Sequence, residues 1–335
     1  MIVPGFSHVP GVHCGSTAVA DALRTVGVEV SEAVAFGLGA GLGFYYLAVP
    51  GLSPSLFFQG RSARLELEAC ASLGVPAVER IADDAAGALD GARAALGRGL
   101  SPILATDLSR LPYWRSRTPF GGHRVVLAGL ELEADRALLA DTDRPELEAL
   151  TLEELDAARA SLAPPFGKPG RPWIEVGPLP PGHAPRPLAG LAAEALRRQA
   201  RDLLLDADGV AGISALERFA AELPDWPARA ADDRDRARCF RFAAQTIEVR
   251  GTGGGLFRRL YARFLREVEA ALPRLAPLGL SARMDALADG WTALAGGLAR
   301  LAEGGGPVPE QVAAQARALA AGERRLHEDV AARVR

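Results

Sequence analysis

The chain has 335 residues, 49% of them hydrophobic and 24% charged, with a formal net charge of −3. That length allows two domains with separate cores. The near-balanced charge offers no pull toward nucleic acid or an anionic membrane surface. The three cysteines, Cys14, Cys70 and Cys239, are odd in number and form no CxxC pair, so neither a disulfide framework nor a metal site is expected. The start lacks the charged and apolar regions of a signal peptide. No uninterrupted run of about 18 apolar residues suggests a membrane span. A reducing cytoplasm is the expected compartment.

In chain order, Ser7-His8-Val9-Pro10-Gly11-Val12-His13-Cys14-Gly15-Ser16-Thr17 is a loop broken by Gly and Pro. It runs into a helix over Ala18–Val26, with Val19, Ala22, Leu23 and Val26 on its buried face. Ser31–Phe36 is a short helical or extended piece. Residues 37–46 are glycine-rich, but the spacing fails the dinucleotide pattern, since Leu42 and Phe44 stand where glycine is required. They predict close backbone packing or, together with Tyr45 and Tyr46, a cleft wall. Ser62–Leu73 reads as a helix ended by Gly74, with Cys70 a small core residue. A strand over Val75–Ile81, a helix over Asp83–Leu100 and a strand over Pro102–Asp107 follow, then an aromatic loop at Leu111-Pro112-Tyr113-Trp114. His123–Leu132 and Arg136–Asp141 predict an antiparallel hairpin. Thr151-Leu152-Glu153-Glu154 is a capping-box pattern opening a helix to Leu162, and Trp173–Val176 is a last strand.

The proline-rich stretch 177–188 marks a stiff linker. Beyond it the pattern is helical only, over 189–207, 210–223, 228–247, 255–272, 281–303 and 309–335. The Gly251–Gly255 run at a helix start is compatible with anion binding but lacks the Lys-Ser/Thr tail of a P-loop. Phe257, Tyr261, Phe264 and Leu265 form a packing stripe. The arginines Arg258, Arg259, Arg263 and Arg266 suggest either a solvated face or a surface for an acidic partner.

The chemistry concentrates on Cys14. A thiol at a helix start meets the positive end of the dipole and free backbone N–H groups, both of which favour thiolate. Gly121-Gly122-His123 supplies a base on a distant strand, and Asp141 ends the next strand, where a carboxylate can fix the imidazole tautomer. The Gly-Gly pair permits close approach of backbone to substrate. Asp107, at a strand end, is a candidate for binding a substrate amine. His13 reads as structural or as part of a cleft wall.

The ordered set His13-Cys14-Gly15-Ser16-Thr17-Ala18, Phe36-Gly37-Leu38-Gly39, Gly41-Leu42-Gly43-Phe44, Leu111-Pro112-Tyr113, Phe120-Gly121-Gly122-His123 and Ala140-Asp141-Thr142 resembles the butirosin biosynthesis protein H N-terminal family. Gly251-Thr252-Gly253-Gly254 with Phe257-Arg258, Tyr261 and Phe264-Leu265 resembles the uncharacterised helical domain often fused to it. The resemblance implies an α+β papain-like fold over 1–177, the linker 178–188 and an all-helical domain over 189–335. It implies Cys14 as nucleophile, His123 as base and Asp141 as orienting group, with no bound cofactor. The implied activity is transfer of an acyl group from the phosphopantetheine thioester of an acyl carrier protein to a small-molecule amine. Papain-like enzymes place an oxyanion-donating Gln six residues before the cysteine; here that position holds His8, which makes it the candidate donor. Tyr45, Tyr46, Asp107 and Tyr113 are the candidate substrate contacts, and a homodimer through the helical domain is a further expectation. The same triad also serves a cysteine peptidase or amidase. A binding or scaffold protein with a vestigial triad is the non-enzymatic alternative.

Overall fold

The computed structural model describes residues 2–164, 167–205, 209–305 and 308–334. The elements of the first half are α1 (Cys14–Thr25), α2 (Glu32–Leu38), β1 (Leu42–Ala48), β2 (Leu56–Arg61), α3 (Leu65–Leu73), β3 (Ala77–Arg80) and α4 (Ala85–Gly97). Then come β4 (Ile103–Asp107), β5 (Gly121–Glu131), β6 (Arg136–Ala140), β7 (Glu148–Leu150), α5 (Leu152–Arg159) and β8 (Trp173–Val176). The second half carries α6 (Leu188–Leu204), α7 (Gly212–Glu222), α8 (Trp226–Arg229), α9 (Asp233–Glu248), α10 (Arg258–Ala271), α11 (Leu280–Ala302) and α12 (Pro309–Arg333). The expected helix ends at Ala207 and Arg335 lie outside the described residues.

Two compact units divide the chain: 1–35 with 65–186, and 36–64 with 187–335. The hairpin of β1 and β2 therefore groups with the C-terminal helices, whereas the sequence reading kept it in a continuous N-terminal domain. The hairpin is itself a difference from expectation, because its glycines read as loop. Gly43 lies within β1, and the alternating burial of β2 is a two-residue period that the helix reading over 62–73 began just beyond.

In the first unit, an antiparallel sheet of order β3-β8-β4-β5-β6-β7 packs against α1. Leu104, Val125, Leu127, Ala137, Leu139 and Trp173 form much of its core. The predicted β5–β6 hairpin is present, pairing Glu131 with Arg136 and Val126 with Ala140 around a 3-10 turn at Leu132–Ala134. The capping box on α5 is present in full, with Thr151 Oγ1 accepting from Glu154 N–H and Glu154 Oε2 accepting from Thr151 N–H. Helix α1 starts four residues earlier than its apolar stripe because the His13 side chain caps it. Its residues Val19 and Leu23 are fully buried, each contributing roughly 1.5–3 kcal/mol of apolar burial.

In the second unit, Phe44, Tyr46 and Phe58 of the hairpin enter an aromatic cluster with Phe219, Trp226 and Trp291. A Cβ on Gly37 would fall 2.2 Å from the Phe264 ring, which accounts for glycine there. Arg258 is fully buried, its guanidinium paired with Glu323 at 2.8 Å. This corrects its place on an exposed arginine face; Arg259 and Arg266 stay at the surface, paired with Asp289 and Asp285. The Gly251–Gly255 loop supplies its own anion: Glu248 accepts from Gly255 N–H.

Candidate active site

Cys14 occupies the first position of α1 and is partly exposed. The first-turn N–H groups of a helix have no intrahelical acceptors, so a developing negative charge at this position is favoured. The loop before it is held by Glu32, which accepts from Val12 N–H, His13 N–H, Ser16 Oγ and Thr17 Oγ1. An added Cβ on Gly15 would lie 2.9 Å from the buried Glu66 carboxylate, so a side chain there must displace it. Arg124 neutralises Glu66 with an Nε–Oε1 contact of 3.1 Å.

The β5–β6 pair delivers the other two members of the predicted series. His123 and Asp141 are both buried, at 3% and 0% exposure. His123 Nε2 lies 2.9 Å from both Asp141 oxygens, which commits that nitrogen and leaves Nδ1 for the sulfur. Burial opposes the thiolate at Cys14, but hydrogen bonds from His123 and His13 outweigh it and hold the thiol well below its ordinary value. Burial also opposes charge on His123; the Asp141 carboxylate and the Cys14 sulfur override it and push the imidazole up to about 10. The two shifts both favour a thiolate–imidazolium pair over the neutral pair.

Asp141 is the most heavily hydrogen-bonded member. Besides His123 it accepts from Tyr113 Oη at 2.8 Å, Trp114 Nε1 at 2.7 Å and Thr142 Oγ1 at 2.9 Å. Burial would raise its pKa, but the charge of His123 and these donors hold it below the usual carboxylate range. Tyr113, proposed from the sequence as a substrate contact, thus serves Asp141; burial and the carboxylate keep its hydroxyl protonated. Trp114 also sets its ring edge-on to His123, with centroids 5.7 Å apart. Arg144 stacks over Trp114 at 4.8 Å. Thr142 has a φ of +34°, unusual for a β-branched residue. Its carbonyl accepts from Gly11 N–H at 2.7 Å, tying the Asp141 loop to the Cys14 loop. Such strain costs of order 1–3 kcal/mol and persists only where surrounding bonds enforce it.

The remaining candidates fall elsewhere. Asp107 does not present a free carboxylate to an amine: Ser109 N–H and Oγ, Phe120 N–H and Ser161 Oγ all donate to it. It is a loop tie, 3% exposed. Tyr46 is not a cleft wall; it is fully buried in the second unit and accepts a hydrogen bond from Trp226 Nε1 at 2.9 Å. Tyr45 lies in β1 of that unit, partly exposed. Gly121 approaches its own chain and not an open cleft, since an added Cβ would fall 2.0 Å from the Ala163 carbonyl oxygen. His8 pairs through Nδ1 with Asp21 at 2.5 Å, while its buried Nε2 has no partner among the described residues. Sequence reasoning missed Trp114, Thr142 and Glu32. Of these only Trp114 carried a signal, as the neighbour of Tyr113 in an aromatic loop.

Among the described residues no cluster of His, Cys, Asp and Glu is arranged to hold a metal ion, and no helix is long and apolar enough to cross a membrane. No curated protein matches the chain. Residues 13–142 match the family model described as butirosin biosynthesis protein H, N-terminal, and residues 153–330 match the domain of unknown function DUF4872. The first match spans all three members of the Cys14–His123–Asp141 series, and the second covers more than half of the chain. The protein belongs to the family that joins a butirosin biosynthesis protein H N-terminal domain to this second domain.

Proposed function

We propose that the protein is a cysteine-dependent acyltransferase that takes an acyl group from a thioester onto Cys14 and passes it to an amine. The family match favours a biosynthetic, acyltransferase-like role. The observation that carries the reading is the buried His123–Asp141 pair, Nε2 2.9 Å from both carboxylate oxygens, together with a Cys14 thiol that His123 helps to hold below its ordinary value.

The Cys14 thiolate adds to the thioester carbonyl. Collapse of the tetrahedral adduct forms the Cys14 thioester and expels the donor thiolate, which takes the His123 proton. An amine then adds to the acyl-enzyme carbonyl, and the now neutral His123 accepts its proton. Collapse breaks the C–S bond, releases the amide and restores the thiolate–imidazolium pair. Thioester exchange is nearly level in energy, so the protein's task is chiefly to position the amine and exclude water. Asp141 keeps Nε2 as its hydrogen-bonded nitrogen throughout, so Nδ1 is the atom that gives and takes the proton. The proposed oxyanion donors are the Cys14 N–H and His8 Nε2, which donates when the ring carries a proton on both nitrogens and Nδ1 gives its own to Asp21. The proposed donor substrate is the phosphopantetheine thioester of an acyl carrier protein, and the acceptor a small-molecule amine.

The test supplies acyl-carrier thioesters with and without a panel of amines. Amide formation that requires both amine and Cys14 supports transfer. Hydrolysis of peptides without an acceptor, and no amide formation, replaces it with the peptidase reading.

A further inference from the structure

Two of the donors to Asp141 come from neighbours in sequence and share one acceptor atom. Tyr113 Oη and Trp114 Nε1 both reach Oδ2, at 2.8 and 2.7 Å, while Thr142 Oγ1 takes Oδ1 at 2.9 Å. Donors on both oxygens set the plane of the carboxylate, and His123 Nε2 lies 2.9 Å from each oxygen. Yet Tyr113 and Trp114 are only half-buried, on a loop whose Pro112, Arg115, Arg117 and Thr118 are exposed. The orientation of the imidazole therefore depends on what keeps this aromatic pair in place.

Arg144 meets the pair from the other side. It closes the tight turn 141–144 that follows β6, its N–H donating to the Asp141 carbonyl at 2.8 Å. Its guanidinium lies over both rings, with Cζ 4.8 Å from the Trp114 centroid and 5.7 Å from that of Tyr113. Nη2 donates to the Tyr113 carbonyl at 3.3 Å. Its carboxylate contacts, Glu148 at 3.8 Å and Asp143 at 3.9 Å, are too long for hydrogen bonds. Surface pairs of that kind contribute little, so the rings and the Tyr113 carbonyl are what hold the guanidinium. A planar guanidinium can cover a ring face and donate along its edge at once, which an ammonium cannot.

We infer that Arg144 is a positioning residue for the base: the turn 141–144 grips the Tyr113–Trp114 pair, Asp141 taking its side-chain donors while Arg144 covers its ring faces and holds the Tyr113 carbonyl. The inference rests on Cys14 being the nucleophile and His123 its base. Both jaws of the grip belong to one four-residue turn closed by the Arg144 N–H, so carboxylate and guanidinium keep a fixed spacing. Without the guanidinium the two donors leave Oδ2 more often, the carboxylate turns about its own bond, and the imidazole follows it. The edge-on contact of Trp114 with the His123 ring loses its fixed place as well. Arg144 makes no hydrogen bond or ion pair to Cys14 or His123 among the described residues, so it reaches the base through the aromatic pair and Asp141.

The experiment measures the pH dependence of Cys14 alkylation by iodoacetamide in the full chain, mapped by peptide mass spectrometry, for wild type, Arg144→Ala and Arg144→Lys. An imidazole that is no longer held in place stabilises the thiolate less. Arg144→Ala is therefore expected to move the half-reactivity pH upward by roughly 0.5–1 unit, a threefold to tenfold loss of thiolate at a given acidic pH, with the high-pH rate unchanged. Arg144→Lys keeps the positive charge and gives up the planar fork, and is expected to shift in the same direction by less. Coincident titrations of folded Arg144→Ala and wild type would overturn the role. A shift in Arg144→Ala with none in Arg144→Lys would overturn it too, since charge alone would then account for the effect. An ordinary thiol titration in the wild type would instead sink the nucleophile reading beneath it. If both variants unfold, hydrogen exchange in the wild type decides. The Trp114 indole N–H, assigned by its loss in Trp114→Phe, is expected to exchange slowly; exchange as fast as that of a free indole refutes the grip.

Discussion

Replacing Asp141 gives the sharpest measure of how the site is held. Its carboxylate is fully buried and receives His123, Tyr113, Trp114 and Thr142. Asp141→Ala leaves the 3%-exposed His123 without its counter-charge. Removing one partner of such a buried pair costs about 3–5 kcal/mol. Asp141→Asn retains an oxygen for Tyr113 and Trp114 and loses only the charge, for about 1.5–3 kcal/mol. The depressed pKa of Asp141 fixes the pH dependence. Its stabilisation is complete above the ordinary carboxylate value near 4 and is lost as pH falls through the lower folded value. Urea denaturation at pH 7 is expected to rank wild type above Asn above Ala, with the differences shrinking below about pH 4 and again as pH rises through the raised His123 value of about 10. An Asp141→Ala protein as stable as wild type at pH 7 would refute the argument.

Further outcomes follow from the same geometry. At neutral pH iodoacetamide is expected to label Cys14 and spare Cys70, which is fully buried and pushed up to about 12, and Cys239, raised by burial; equal labelling of all three in folded protein contradicts the activation of Cys14. Because the Cys14 thiol is lowered and His123 raised, the thiolate–imidazolium pair forms as pH rises through the lowered thiol value and is lost as pH rises through about 10, a window that thiolate absorbance in a Cys70→Ala/Cys239→Ala background reads directly. His8→Ala is expected to slow Cys14 acylation by roughly 10²–10³-fold if Nε2 stabilises the oxyanion, and unchanged acylation kinetics remove it from the site. In the second unit, Glu323→Ala isolates the buried Arg258 charge and is expected to cost about 3–5 kcal/mol in denaturation; a loss below 1 kcal/mol would mean the pair is dispensable.

What the sequence revealed followed local rules. The Cys14 helix start, the β5–β6 hairpin and the α5 capping box each lie within a short window, where cap chemistry and two-residue alternation are visible. The contact between His123 and Asp141 was legible because a His–Asp pair on adjacent strands is one recognisable arrangement, carried here by family motifs. The supports were not legible. Asp107 and Asp141 stand at strand ends, and only tertiary contacts decide that Asp107 ties a loop while Asp141 holds His123. Tyr113 changed role because its partner lies 28 residues away. The hairpin of β1 and β2 was obscured by glycines whose reason is close packing, as at Gly43, where an added Cβ would lie 3.0 Å from the Arg61 backbone. Arg258 looked like part of a basic face because its partner, Glu323, is 65 residues distant.

The central claim is that Cys14 carries the acyl group. Intact-mass spectrometry of the wild-type chain after brief exposure to an acyl-carrier thioester, followed by peptide mapping, tests it without an acceptor. A single acyl mass increment on Cys14, absent from Cys14→Ser and strongly slowed in His123→Ala, is the predicted result. An unmodified Cys14 with every thioester tried, or an adduct that forms equally well without His123, contradicts it.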